Sequence, residues 1–157
     1  GMRVRALRRS EAPSPVDGVE CVANISELMA HSDHILLALP MTEASRHIID
    51  AEVLAAIPPE RGLHLINVAR GGLIDQDALR VALEDGRVAR ASLDVADPEP
   101  LPEGHWLFTH PQVRLSPHVS WSMPDAFSLL LDTFIENVGR YQRGESLAGQ
   151  VDRTHGY

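Results

Sequence analysis

Three short polar segments of this 157-residue chain each follow an apolar run, and their side chains complement one another chemically. In NVARGG, residues 67–72, Arg70 offers a planar guanidinium able to grip a carboxylate or phosphate through two parallel bonds. The adjoining glycines let the backbone come close to a ligand. In LDVADPEPLP, residues 93–102, Asp94 and Glu99 flank a turn punctuated by proline. LSPHVSW, residues 115–121, places His118 directly after Pro117, and imidazole is the side chain that changes charge near neutral pH. Each segment taken alone also fits a solvated loop. Together, a carboxylate grip, a proton donor and an acid able to orient that donor form a complete set for reducing a 2-keto acid.

These segments need a scaffold that brings them to one place. Open parallel sheets bind ligands at the carboxyl ends of their strands, and the apolar runs predict strands at 3–7, 20–23, 34–39, 64–68, 90–95 and 113–115. HILLALP and HLINVA are nearly continuous rather than alternating, which predicts strands buried on both faces with helices on both sides. Helices are expected at 25–30 after the cap Asn24, at 51–57 between Asp50 and Pro58, and at 76–84 between Asp75 and Gly86. The longest, 124–143, carries Phe127, Leu130, Leu131, Phe134, Val138 and Tyr141 at helical spacing before Gly144. The fold class expected is α/β with a mainly parallel sheet.

Composition narrows the function classes. At 44% hydrophobic and 23% charged, the chain suits one globular domain. No apolar run approaches the roughly 20 residues of a membrane span, and the opening GMRVRALRRS has no secretory apolar stretch, so a cytoplasmic protein without membrane contact is expected. A lone Cys21 and histidines without ligand spacing predict no metal site. The net charge of -8 argues against nucleic-acid binding, although Arg3, Arg5, Arg8 and Arg9 crowd the first ten residues. A DNA-binding basic arm over residues 3–9 is the remote alternative, and it predicts steeply salt-dependent affinity.

The segments NVARGGLIDQDAL (67–79), ALEDGRVARASLDVADPEPLP (82–102) and LSPHVSW (115–121) resemble, in order and spacing, the successive signatures of the D-isomer-specific 2-hydroxyacid dehydrogenases. HILLALPMTEASRHII (34–49) and the ending VDRTHGY (151–157) are similar to the same family, within which glyoxylate/hydroxypyruvate reductases are the suggested kind. The resemblance implies a partial Rossmann-type doubly wound parallel sheet. Residues 1–144 would belong to the dinucleotide-binding domain, and 145–157 to a tail returning toward a substrate domain. It makes Arg70 the substrate-carboxylate binder, His118 the general acid/base and Glu99 its pairing partner. Asp94 would meet the nicotinamide side, with Pro40, Val68, Ala69, Arg70, His118 and Trp121 lining the cofactor. A homodimer is implied, with the Phe127 to Tyr141 stripe either at its interface or packed within the subunit.

In this family the strand matching MRVRAL usually ends in an acid that bonds the adenosine ribose, whereas here it runs into Arg8, Arg9 and Ser10. Two guanidiniums and a hydroxyl suit a 2'-phosphate, so NADP(H) is expected over NAD(H). The glycine fingerprint G-x-G-x-x-G, with the strand before it, does not occur in the 157 residues. Two functional expectations follow. The chain is a fragment of a reductase transferring hydride between NADP(H) and a small 2-keto or 2-hydroxy acid, or it is a truncated, inactive homologue serving as a partner-binding or vestigial module.

Overall fold

The computed structural model describes residues 1–9 and 13–152. Two parallel sheets form. β1 (Val4–Leu7) pairs with β2 (Val19–Val22), and β3 (His34–Leu37), β4 (Leu63–Asn67), β5 (Val88–Leu93) and β6 (Val113–Leu115) lie side by side in that order. Parallel neighbours require crossover connections. Helices α2 (Ala51–Ala55) and α3 (Gln76–Glu84) lie in the connections from β3 to β4 and from β4 to β5, α1 (Ile25–His31) lies between β2 and β3, and α4 (Ala126–Gln142) follows the last strand.

The predicted caps are the observed ones. Asn24 Oδ1 accepts from the Glu27 amide at 2.8 Å, Asp50 Oδ1 from Val53 at 2.9 Å, and Asp75 Oδ1 from both Asp77 and Ala78 at 3.0 Å. Each satisfies amides that the first helical turn leaves without an intrahelical partner. Gly86 closes α3 at φ 82 and Gly144 follows α4 at φ 69, a region that costs glycine little. Strands expected to run to 39 and 68 stop at Leu37 and Asn67, where the chain leaves the ladder to build loops.

One expectation is corrected. The apolar runs predicted strands covered on both faces, yet burial alternates along β3 and β4. Ile35, Leu37, Leu63, Leu65, Ala91 and Leu93 pack into a core with Met29, Val53, Leu54, Leu79 and Leu83 from α1, α2 and α3. His34, Leu36 and Arg90, on the opposite face, are exposed. A continuous apolar run gives a strand the capacity for burial on either side. The second side also needs a covering layer, and the described residues of this unit place α1, α2 and α3 on the core side only. On the open face His64 Nε2 lies 2.9 Å from Ser92 Oγ, and its ring meets that of His34 edge-on at 5.5 Å. Burial first, then the His34 and Arg90 charges, push the His64 pKa below its ordinary value.

Backbone contacts divide the chain into two compact units, Gly1–Ser116 and Pro117 onward. In the second, no residue of α4 is buried, and Phe127 and Tyr141 are 82% and 77% exposed. The segment after the helix folds back on it, where the Asn137 side chain donates to the Ala148 carbonyl at 3.1 Å and accepts from its amide at 2.8 Å.

Candidate active site

Asn67 ends β4 and is fully buried. A buried amide must find partners, and this one finds them in the loop that follows. Its Oδ1 accepts from the Ala69 amide at 3.0 Å and its Nδ2 donates to the Arg70 carbonyl at 2.9 Å. Its backbone carbonyl accepts from the Asp94 amide at 2.9 Å, so one residue ties together the carboxyl ends of β4 and β5. Arg70 leaves this knot in extended conformation (φ -147, ψ 142) ahead of a 3-10 turn, Gly71–Leu73. Its guanidinium is exposed, and Nη1 donates to the Ala69 carbonyl at 2.7 Å.

The two glycines also have a structural use. Beyond the close approach to a ligand that the sequence suggests, the structure uses the missing side chains for contact with neighbouring protein. A Cβ on Gly71 would stand 1.9 Å from the Ala96 carbonyl oxygen and 2.6 Å from the Asp97 nitrogen. A Cβ on Gly72 would meet Met41 Sδ at 2.7 Å and Asp97 Oδ2 at 3.1 Å. The loops after β3, β4 and β5 therefore touch at these two positions. Gln76 reinforces the contact by donating through Nε2 to the Asp97 carbonyl and accepting its amide at 3.2 Å. Arg46 adds an ion pair to Asp97 at 3.7 Å, with both side chains half exposed.

Asp94 is 4% exposed, and its Oδ1 accepts from Ser116 Oγ at 2.5 Å, which joins the ends of β5 and β6. Glu99 is exposed between Pro98 and Pro100, in a stretch where the Asp97–Pro98 and Glu99–Pro100 bonds are both cis. Pro40 is exposed after β3 with its carbonyl accepting from Ser45 Oγ at 2.9 Å. Val68 is exposed and Ala69 half-buried. At the end of β1, Arg8 Nη1 donates to the Pro13 carbonyl at 3.0 Å and Arg9 is exposed. Ser10 lies outside the described residues.

His118 and Trp121 belong to the second unit. His118 is half-buried and holds φ 53, a left-handed conformation uncommon for a residue with a side chain. The Trp121 indole N–H donates to the His118 carbonyl at 2.9 Å, and a turn closes with the Ser122 amide on the Val119 carbonyl at 2.9 Å.

The structure thus gathers Val68, Ala69, Arg70 and Asp94 around Asn67. It places Arg8 and Arg9 at the end of the other sheet. Asn67, Gln76 and Ser116 escaped the reading of the sequence. The signal for Asn67 was its place in an apolar run, because a polar residue there must spend its hydrogen bonds locally. Among the described residues no group of three His, Cys, Asp or Glu side chains could hold a metal ion, and no helix is long and apolar enough to cross a membrane.

The NAD-binding-domain model of the D-isomer-specific 2-hydroxyacid dehydrogenases matches residues 1–120. Glyoxylate/hydroxypyruvate reductase A of Serratia proteamaculans is 36% identical over 161 aligned positions, covering 100% of this chain and 49% of that protein. A D-isomer-specific 2-hydroxyacid dehydrogenase from Xanthobacter autotrophicus, solved with NADPH and MES, superposes with TM-score 0.88 at 36% identity over 100% of this chain and 64% of its own. An NADPH-dependent glyoxylate/hydroxypyruvate reductase from Sinorhizobium meliloti, solved with NADP and sulfate, gives TM-score 0.89 at 27% identity over 100% of this chain and 50% of its own. The chain spans about half the length of the curated relatives it matches.

Proposed function

The chain belongs to the D-isomer-specific 2-hydroxyacid dehydrogenase family, and on that premise we propose that it is the dinucleotide-binding and proton-transfer part of an NADP-dependent reductase of small 2-keto acids. The observation that carries this is the knot at Asn67. It holds the backbone of Arg70 and of Asp94 at the carboxyl edge of a parallel sheet, which is where such sheets meet their ligands.

The residues present fit a dinucleotide by their chemistry. Two guanidiniums, Arg8 and Arg9, stand where β1 ends and suit a 2'-phosphate. A buried carboxylate, Asp94, sits at the sheet edge beside the backbone turn of Val68 and Ala69. Pro40 and Trp121 would complete the lining. The reduced nicotinamide, when bound, supplies hydride to the keto carbon. The chain's own residues do the rest. Arg70 binds the substrate carboxylate and orients the carbonyl. His118 donates a proton to the keto oxygen, with Glu99 as its proposed partner in that step. The apolar surface of α4 supports assembly as a homodimer. The proposed setting is the cytoplasm.

A chimera tests the assignment. Residues 1–157 replace the matching half of the Serratia reductase, and NADPH oxidation by glyoxylate is followed. His118→Ala should lower kcat by about a thousandfold, within the range that a positioned acid contributes, while leaving NADPH affinity nearly unchanged. A kcat near that of the unsubstituted chimera would sink His118 as the acid. Replacing Arg8 and Arg9 together by Ala should lower the NADPH over NADH ratio of kcat/KM by at least about tenfold, the loss expected for one charged hydrogen bond or more. An unchanged ratio would remove both arginines from cofactor selection.

A further inference from the structure

Asp97 is held from several sides at once. Gln76, half-buried in the first turn of α3, turns both groups of its side-chain amide onto the Asp97 backbone, donating through Nε2 to the carbonyl and accepting the amide through Oε1 at 3.2 Å. Only Asn and Gln carry a donor and an acceptor in one planar side-chain amide. Arg46 Nη1 lies 3.7 Å from the Asp97 carboxylate, and Ala96 and Asp97 fill the space where Gly71 and Gly72 lack side chains. The next fixed point along the chain is Leu101, which packs against the core. Between these points stand Pro98, Glu99 and Pro100, all exposed. Proline locks φ at about -65°, so Glu99 has little backbone freedom while Asp97 is held.

We propose that Gln76 is a positioning residue for proton transfer: through Asp97 it fixes the backbone that carries Glu99, so that the carboxylate is in place before substrate binds. The inference rests on the pairing of Glu99 with His118 proposed above. An exposed glutamate on a loose loop samples many positions, and each turnover would have to gather it. A loop anchored on both sides of Glu99 removes that entropy in advance. The competing role for Gln76 is architectural. It would steady the turn that carries Arg70, because Gly71 and Gly72 touch the same stretch of chain. The two roles differ in their effect on catalysis. Loss of the hold on Glu99 lowers kcat, whereas loss of the hold on Arg70 weakens binding of the substrate carboxylate and raises KM.

The test uses the chimera with the Serratia reductase. Gln76→Met keeps side-chain length and helix propensity and removes both bonds to Asp97. It should lower kcat for NADPH-dependent glyoxylate reduction by about tenfold, with KM for glyoxylate and for NADPH within about twofold of the unsubstituted chimera. Glu99→Gln alone should lower kcat by about a hundredfold. Adding Gln76→Met to Glu99→Gln should then lower kcat by less than about a further twofold, because a residue that acts through the carboxylate has nothing left to position. Additive losses, an unchanged kcat in Gln76→Met, or a rise in KM for glyoxylate in place of the fall in kcat would overturn the proposal and leave the pairing of Glu99 with His118 standing. An unchanged kcat in Glu99→Gln would remove that pairing, and the role of Gln76 with it. A measurement on the 157-residue chain needs no turnover. Gln76→Met should speed amide hydrogen exchange at Asp97 by at least about tenfold, and unchanged exchange there would overturn the proposal even where kcat falls.

Discussion

The loop after β4 and the helix α4 are equally well patterned in sequence, and the fold treats them in opposite ways. The loop is polar and glycine-rich, yet its parts are locked by a buried Asn67, by two glycines in contact with other loops and by Gln76 on the Asp97 backbone. The helix carries an apolar stripe of the sort that usually fills a core, yet none of its residues is buried. Apolar character shows what a segment can contribute. Whether it contributes depends on a facing surface.

Substitutions at matched sites sharpen that contrast. The largest effect is expected from Gly71→Ala, because the new methyl would overlap the Ala96 carbonyl, which is backbone and cannot swing aside. A loss of about 3 kcal/mol is expected from such overpacking, read from the urea midpoint of unfolding. A midpoint within error of the parent would show that the loops are not in fixed contact.

Next comes Asn67→Ala. It leaves the Ala69 amide and the Arg70 carbonyl without their partner, at a cost of about 2 kcal/mol given that water reaches part of the loop. The matched change in the helix, Phe134→Ser, removes a residue 65% exposed and should move stability by less than about 0.5 kcal/mol. Comparable losses at the two sites would break the comparison, because α4 would then be packed in solution.

The smallest effect concerns the open sheet face. Burial, His34 and Arg90 all lower the His64 pKa, so the unfolded chain binds this proton more readily than the folded one. The stability that neutral His64 contributes is present above the unfolded value near 6.5 and fades as pH falls through the lowered folded value. Thermal unfolding of the parent and of His64→Gln between pH 7.5 and pH 5 should show a shallower acid-side fall in Tm for the variant. A covering layer over that face would deepen the shift.

Much of the fold was legible because it is written in near neighbours. Asn24, Asp50 and Asp75 cap their helices through amides two or three residues on. Strand centres stand where the apolar runs lie, and errors fall at strand ends, where leaving the ladder depends on what the loop meets next. The candidate site was legible in its residue types and less so in its supports. Arg70 and Asp94 announce chemistry by type, whereas Gln76 acts on the Asp97 backbone from 21 positions away.

By itself the sequence determined the order of elements, the caps, the family and the side chains able to grip a carboxylate or give a proton, because these rest on local hydrogen bonding and on motif spacing. Only the tertiary structure decided that the Arg-Gly-Gly glycines make room for Ala96, Asp97 and Met41, that Asn67 knots two strand ends, that the core packs on one face of the four-stranded sheet, and that β1 and β3 line one cleft. The physical reason is common to all four. Steric contact and burial are properties of surfaces brought together from distant parts of the chain, and no local pattern specifies which surface a segment will meet.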